Sequence, residues 1–148
     1  MKIISKSFEH NQSIPKQYTC DGEDTSPQLS IGDVPIDTKS LVIIMDDPDA
    51  IKPAGKVWDH WIVFNIPPDT IEIPEGKEPR GIHGIGTSEN FDYHGPCPPD
   101  TEHRYFFKVY ALDAMLDLIE GVTKAEVIEA MQGHIIDQAE LVGLYNRN

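Results

Sequence analysis

Three segments of the chain carry hydrophobic patterns typical of β-strands. Residues 41–45 are continuously apolar, which predicts a strand covered on both faces in the middle of a sheet. Residues 57–66 and 103–112 instead alternate, and side chains along a strand point to opposite faces in turn. Strict alternation predicts these shared faces: Trp58, His60, Ile62 and Phe64; Asp59, Trp61, Val63 and Asn65; His103, Tyr105, Phe107 and Val109.

One short helix is predicted near residues 124–132. Thr123 and Glu126 form a capping-box pattern, and an apolar stripe of helical spacing follows, with Gly133 placed to end the helix. Residues 134–145 alternate weakly and fit either a strand or a helix. The 12 prolines and 11 glycines recur between short apolar runs, which indicates strands joined by turns. The pattern predicts a mainly β fold, with residues 1–148 in a single domain.

Charge and hydropathy narrow the classes of partner. The net charge is -13 and the basic residues are scattered singly, which argues against nucleic acid and anionic membrane surfaces. No apolar window is long enough for a membrane span or a signal peptide, so the cytoplasm is the expected location. The sequence leaves the oligomeric state open between a monomer and a homodimer.

Two cysteines, Cys20 and Cys97, are too few for a disulfide framework and lack the paired spacing of a zinc site. Reduced thiols are the default expectation for a cytoplasmic protein. A single disulfide is the alternative if the fold brings the two residues together.

Polar residues at strand ends form the candidate site. They are the Asp47-Pro48-Asp49 corner, His60 among apolar neighbours, and the pair His103 and Tyr105. Each has an ordinary structural explanation: a solvated Asp-Pro turn, a core histidine bonded to a carbonyl, and residues covering a sheet edge. Taken singly, none of these features predicts a function.

Residues 95–99 (Gly-Pro-Cys-Pro-Pro) are more informative. Three prolines fix the backbone and leave Gly95 and Cys97 as the only backbone N–H donors of the run. Rigid amide donors suit an anion, whereas the alternative is a stiff structural turn.

Taken together, these motifs resemble the phosphatidylethanolamine-binding protein family, also called Raf-kinase-inhibitor-like proteins, in its bacterial and archaeal branch. The resemblance runs nearly end to end, through residues 18–27, 47–50, 58–61, 95–99, 103–105 and 133–143. It implies a large central β-sheet packed on a smaller sheet, a final strand after Gly133, and an anion pocket at one end. Ile51 stands where the family usually has proline, at the lip of that pocket. The implied pocket residues are Asp47, Asp49, Trp58, His60, Gly95, Pro96, His103 and Tyr105.

The resemblance implies a binding protein that performs no catalysis and needs no cofactor. The expected ligand is phosphate or a zwitterionic headgroup such as phosphoethanolamine, including that of a lipid, and a kinase or protease is a further expected partner. A carboxylate bonded to His60 or His103 would raise the pKa of that imidazole and make it a cationic donor. We expect bare phosphate to bind at millimolar to high-micromolar concentration, most tightly between about pH 6 and 7.

Two other functions fit the residue types. Cys97 with His103 or His60 as base would make a cysteine hydrolase. Asp47, Asp49, His60 and His103 would supply carboxylate and imidazole ligands to a divalent metal.

Overall fold

The computed structural model describes residues 1–147, and in this range it contains nine strands and two α-helices. The strands are β1 (Lys2–Ile4), β2 (Gln12–Ser13), β3 (Leu29–Gly32), β4 (Ser40–Asp47), β5 (Trp58–Ile66), β6 (Glu72–Ile73), β7 (Ile82–His83), β8 (His103–Leu112) and β9 (Ile135–Tyr145). The helices are α1 (Ile51–Ala54) and α2 (Lys124–Met131), and two 3₁₀ turns lie at Lys16–Tyr18 and Pro48–Ala50.

The strands form two sheets, as the resemblance implies. The large sheet has the order β2-β9-β8-β4-β5-β7, and the small sheet has the order β1-β3-β6. The pair β2–β9 is parallel, whereas the other pairs are antiparallel. Strand β4 lies inside the large sheet with every residue buried, so the prediction from its continuous apolar run is confirmed.

Two apolar clusters cover the two faces of the large sheet. One lies between the sheets and includes Ile31 of β3, Met45 of β4 and Phe107 of β8. The other lies beneath α2 and includes Ile44 of β4 and Val127 of α2. Each face of the sheet therefore has its own core, which is why β4 is apolar on both faces through residues 41–45.

The helix and the tail are where the sequence analysis placed them. The Thr123 hydroxyl accepts from the backbone N–H of Glu126, and the Glu126 carboxylate accepts from the backbone N–H of Thr123, both at 3.3 Å. Gly133 takes a positive φ of 82° just after α2 ends, and the tail is strand β9. Helix α1, which contains Ile51, was not predicted. Among residues 1–147 no helix is long and apolar enough to cross a membrane.

The predicted faces of β5 are wrong at its start. The pairing of β4 with β5 runs from Met45–Trp61 to Asp46–Asp59, so His60 is the extra residue of a β-bulge. Strict alternation had grouped His60 with residues that lie under α2, but the bulge turns its ring onto Tyr105 instead.

The two cysteines are joined in a disulfide, which corrects the default expectation of reduced thiols. Their sulfur atoms are 2.07 Å apart and their Cα atoms 5.4 Å apart. The backbone N–H of Cys20 also donates to the carbonyl of Pro96 at 3.1 Å. The fold brings together two segments that are 77 residues apart in the chain.

Candidate functional site: a pocket at one end of the large sheet

A cavity of about 280 Å³ opens where β4 ends and where β5 and β8 begin. Because β4 is antiparallel to both neighbours, its last residue lies beside their first residues, and Asp47 pairs with Trp58. This adjacency brings three distant motifs to one place. The cavity is lined by Asp47, Ala50, Pro53, Ala54, Trp58, His60, Ser88, His94, Cys97, Pro99, His103 and Tyr105.

His103 is held between two carboxylates. Its Nδ1–H donates to Asp47 Oδ2 at 2.6 Å, and its Nε2–H donates to Asp100 Oδ1 at 2.6 Å. Burial opposes the charged ring, but the hydrogen bonds from Asp47 and Asp100 outweigh it and raise the pKa of His103. A ring that donates from both nitrogens is an imidazolium, as expected for this residue.

The surroundings of His60 shift the pKa of its ring in the opposite direction. Its Nδ1–H donates to the backbone carbonyl of His94 at 2.6 Å, and the ring is only 3% exposed. Burial lowers the pKa of His60 to about 4, so the ring is neutral at physiological pH. The expectation of a raised pKa is therefore wrong for His60, because the ring faces a carbonyl and not a carboxylate.

Tyr105 carries an unsatisfied hydroxyl at the pocket. The side chain is fully buried, and its hydroxyl makes no hydrogen bond of good geometry among the described residues, although the Asp47 carboxylate and the backbone of Cys97 lie beside it. Its ring lies edge-on to His60, with centroids 5.4 Å apart. Burial and the neighbouring charge of Asp47 raise the pKa of Tyr105, which keeps the hydroxyl protonated as a donor.

Asp49 is turned away from the pocket. Its carboxylate receives the Nε and Nη2 groups of Arg104 at 3.0 and 2.9 Å, together with the Arg104 backbone N–H. These hydrogen bonds lower the pKa of Asp49. The residue lines an adjoining groove on the protein surface, so it lies beside the pocket and does not line it.

Gly95 and Pro96 shape the wall behind the pocket without lining it. The N–H of Gly95 donates to Asp24 Oδ1 at 2.9 Å, so this donor is already used within the protein. A Cβ at Gly95 would lie 2.3 Å from that oxygen and from the carbonyl of Tyr18, which explains why glycine is required. The predicted amide donor at Gly95 is therefore unavailable to a ligand.

Trp58 forms the outer wall, as predicted, and its indole N–H donates to the hydroxyl of Ser88 at 3.2 Å. Among the residues of the site absent from the predicted set, His94 and Asp100 matter most for its chemistry. His94 lines the pocket and stacks on His60, with ring centroids 6.0 Å apart. Asp100 bonds to His103, and its position three residues before that histidine was the only local signal.

The geometry does not support the two other functions. Cys97 is part of the disulfide, so it has no thiolate with which to attack a substrate. Three or more ligand atoms close enough to share a metal ion occur, within residues 1–147, at Glu78, His83 and Asp92 and not at the four residues proposed. In that cluster His83 Nδ1 already bonds to the carbonyl of Phe91 at 2.8 Å.

Fold and site together define a two-sheet β protein with a pocket at one end of its larger sheet. Comparison with known proteins gives the family: the phosphatidylethanolamine-binding protein profile matches residues 4–146, and the chain belongs to this family.

Relatives and solved structures agree with the assignment. A UPF0098 protein of Methanothermobacter thermautotrophicus is 48% identical over 99% of both chains. The structure of a Chlamydia trachomatis protein described as a phosphatidylethanolamine-binding protein homologue, CT736, superposes with a TM-score of 0.93 at 45% identity, covering 99% of this chain and 97% of that one. YbcL of E. coli, described as a member of the mammalian family, gives a TM-score of 0.90 at 29% identity, covering 99% and 98%.

Proposed function

We propose that the pocket binds a small ligand through a phosphate-like anionic group and performs no chemistry on it. The observation that carries this proposal is the buried, unpartnered hydroxyl of Tyr105. A buried polar group without a partner costs about 1 to 3 kcal/mol, and an anionic oxygen of a ligand would remove that cost. Because Tyr105 lines the cavity, an acceptor oxygen of a bound ligand would lie close to this hydroxyl.

A zwitterion such as phosphoethanolamine, free or as a lipid headgroup, fits the pocket better than a bare anion. Asp47 contributes a carboxylate, and Trp58 offers an aromatic ring on which an ammonium group can rest. The phosphate would meet the hydroxyl of Tyr105. Bare phosphate would lack the ammonium contacts, and we expect it to bind at millimolar to high-micromolar concentration.

The absence of catalysis in this proposal is supported by the state of the reactive groups. Cys97 is oxidised, His60 is bonded to a carbonyl, and both nitrogens of His103 are bonded to carboxylates. None of these three is arranged as a nucleophile with a free general base.

The test is a calorimetric titration of wild type and Tyr105→Phe with phosphate and phosphoethanolamine. We expect Tyr105→Phe to weaken the binding of both ligands by about tenfold, since a hydrogen bond to a charged group is worth about 1.5 to 3 kcal/mol. Tyr110→Phe is the matched control, because Tyr110 lies on β8 but outside the pocket. Equal affinities of Tyr105→Phe and wild type for both ligands would contradict the proposal.

A kinase or protease that presents a phosphorylated or acidic side chain would use the same pocket, in the cytoplasm if that predicted location is right. Capture of a protein partner by wild type and not by Tyr105→Phe would support docking through the pocket. The hydroxyl substitution is preferable to His60→Ala, because His60 makes a buried hydrogen bond at 2.6 Å that the fold needs.

A further inference from the structure

The imidazolium of His103 has no free N–H with which to meet an anion. The ring is 1% exposed, and its two donors end on Asp47 and Asp100. We propose that Asp100 is an internal competitor of the ligand: its carboxylate occupies the donor of His103 that an anionic ligand needs, and the ligand must displace it. This inference rests on the proposed function, because it concerns the same pocket.

The two carboxylates on His103 differ in how firmly they are held. The Asp47 side chain is 4% exposed, and its other oxygen accepts the backbone N–H of Asp49 at 2.9 Å. The Asp100 carboxylate also has a backbone hydrogen bond, from the N–H of Thr101, but its side chain is 32% exposed and lies before β8, outside any strand or helix. Asp47 is therefore a fixed part of the site, whereas Asp100 can rotate into solvent.

Space for the displaced carboxylate lies next to the pocket. Asp100 lines the neighbouring groove of about 560 Å³ together with Asp49 and Arg104, while Pro99 and His103 line the pocket. The Asp100–His103 hydrogen bond thus lies between the pocket and the groove. Rotation of Asp100 toward the groove would uncover Nε2 without moving a strand.

The local charge makes this competition strong. With both carboxylates ionised, one imidazolium faces two negative charges, and the nearby Asp49 is already neutralised by Arg104. His60 adds no positive charge because its ring is neutral. A bare anion therefore meets a region of net negative charge, and removal of the Asp100 charge brings that local balance to zero.

The experiment compares inorganic phosphate binding to wild type, Asp100→Asn and Asp100→Ala by calorimetry at about pH 6, where Asp47 still raises the pKa of His103 in the variants. We expect both variants to bind phosphate at least about tenfold more tightly than wild type, because a charge-assisted hydrogen bond no longer has to be broken. Asp113→Asn is the matched control. It removes the same charge from another Asp–His pair, that of Asp113 with His134 at 2.8 Å, which lies outside the pocket.

A second measurement reports displacement directly in the unmodified protein. In a carbon-detected NMR titration of wild type with phosphate, we expect the carboxyl signal of Asp100 to move toward that of a free aspartate, while the signal of Asp47 keeps the shift of a bonded carboxylate. An unchanged Asp100 signal at saturating phosphate would overturn the inference.

The outcomes separate this inference from the proposed function. Suppose that wild type binds phosphate and Tyr105→Phe fails to bind it, while Asp100→Asn binds no more tightly than wild type. In that case the competitor role of Asp100 is wrong, and the proposed function of the pocket is supported. If neither wild type nor the Asp100 variants bind phosphate or phosphoethanolamine, both statements are wrong. If Asp113→Asn also binds phosphate more tightly than wild type, the gain in affinity comes from the lower net charge of the protein. The specific role of Asp100 is then wrong.

Discussion

Single residues in the pocket are set to opposite electrostatic states by their immediate neighbours. His60 and His103 are both almost fully buried, yet one ring faces a carbonyl and the other faces two carboxylates. Burial alone would keep both rings neutral; the carboxylates are what charge His103. The pocket thus combines a neutral imidazole, a paired imidazolium and the donor hydroxyl of Tyr105.

The depressed pKa of His60 predicts a loss of stability in acid. Its pKa is about 4 in the folded state and 6.5 in the unfolded chain, so the unfolded state takes up a proton first as the pH falls below 6.5. By pH 4 this linkage removes about 3 kcal/mol from the free energy of unfolding. We expect urea denaturation between pH 7 and 4 to show this loss in wild type and a smaller loss in His60→Gln. His134→Gln, at an exposed site, should keep the wild-type slope.

The unsatisfied hydroxyl of Tyr105 is expected to favour ligand binding but to lower the stability of the ligand-free protein. Without ligand, Tyr105→Phe removes a buried group that has no partner, and we expect the free energy of unfolding to rise by about 1 kcal/mol. Thermal or urea denaturation of the ligand-free protein measures this change. A destabilised Tyr105→Phe would mean that the hydroxyl is satisfied within the protein, contrary to the basis of the proposed function.

At the scale of elements, helix α2 is fastened to the large sheet by a mixed polar and apolar contact. Lys124, the first residue of the helix, contacts Asp59 of β5 at 2.6 Å and Asp46 of β4 at 3.2 Å. These two aspartates are paired across β4 and β5 next to the bulge. Because of the bulge, two adjacent residues serve different parts of the molecule: Asp59 is directed to the helix and His60 to the pocket.

Loss of the Lys124 charge should destabilise the protein because it leaves the largely buried carboxylate of Asp59 without its cation, while Asp46 keeps only Lys108 at 3.2 Å. We expect Lys124→Met to lower the free energy of unfolding by about 2 to 4 kcal/mol, slightly less than for a fully buried pair. Lys2→Met is the control, since the Lys2–Asp33 pair is mostly exposed and should contribute under about 1 kcal/mol. Equal effects of the two substitutions in urea denaturation would show that Lys124 does not fasten the helix.

At the scale of the whole molecule, the disulfide connects the N-terminal segment to the wall of the pocket. Cys97 lines the pocket, and Cys20 follows the 3₁₀ turn at Lys16–Tyr18. Disulfides persist in oxidising compartments and in the cytoplasm of some hyperthermophiles. Thiol titration of protein isolated from its own host would therefore test the predicted cytoplasmic location together with the bond.

Removal of the disulfide should cost stability in proportion to the loop it closes. For a separation of 77 residues, chain entropy gives about 4 kcal/mol. We expect the double variant Cys20→Ser and Cys97→Ser to lose about 3 to 4 kcal/mol in urea denaturation, and wild type to show the same loss in the presence of a reductant. If the reductant frees both thiols of wild type but leaves its free energy of unfolding unchanged, this expectation is wrong.

The local pattern of the chain was enough to predict β4, β8 and α2, but not helix α1 or the short strands β1, β2, β3, β6 and β7. The apolar run of β4, the alternation in β8 and the capping box at Thr123 each reflect contacts within a few residues, so their signals are complete in the sequence. The order of the motifs was also enough to indicate the family and five of the eight predicted pocket residues. The five that line the pocket are Asp47, Trp58, His60, His103 and Tyr105.

Tertiary structure alone decided what each polar group bonds to. The bulge at His60 depends on the register between two strands, the turn of Asp49 away from the pocket depends on Arg104, and the amide of Gly95 was taken by Asp24. The same holds for the disulfide of Cys20 with Cys97, which joins distant parts of the chain. Hydrophobic periodicity reports which face of an element is buried, whereas hydrogen-bond partners are fixed by long-range packing that leaves no periodic trace in the sequence.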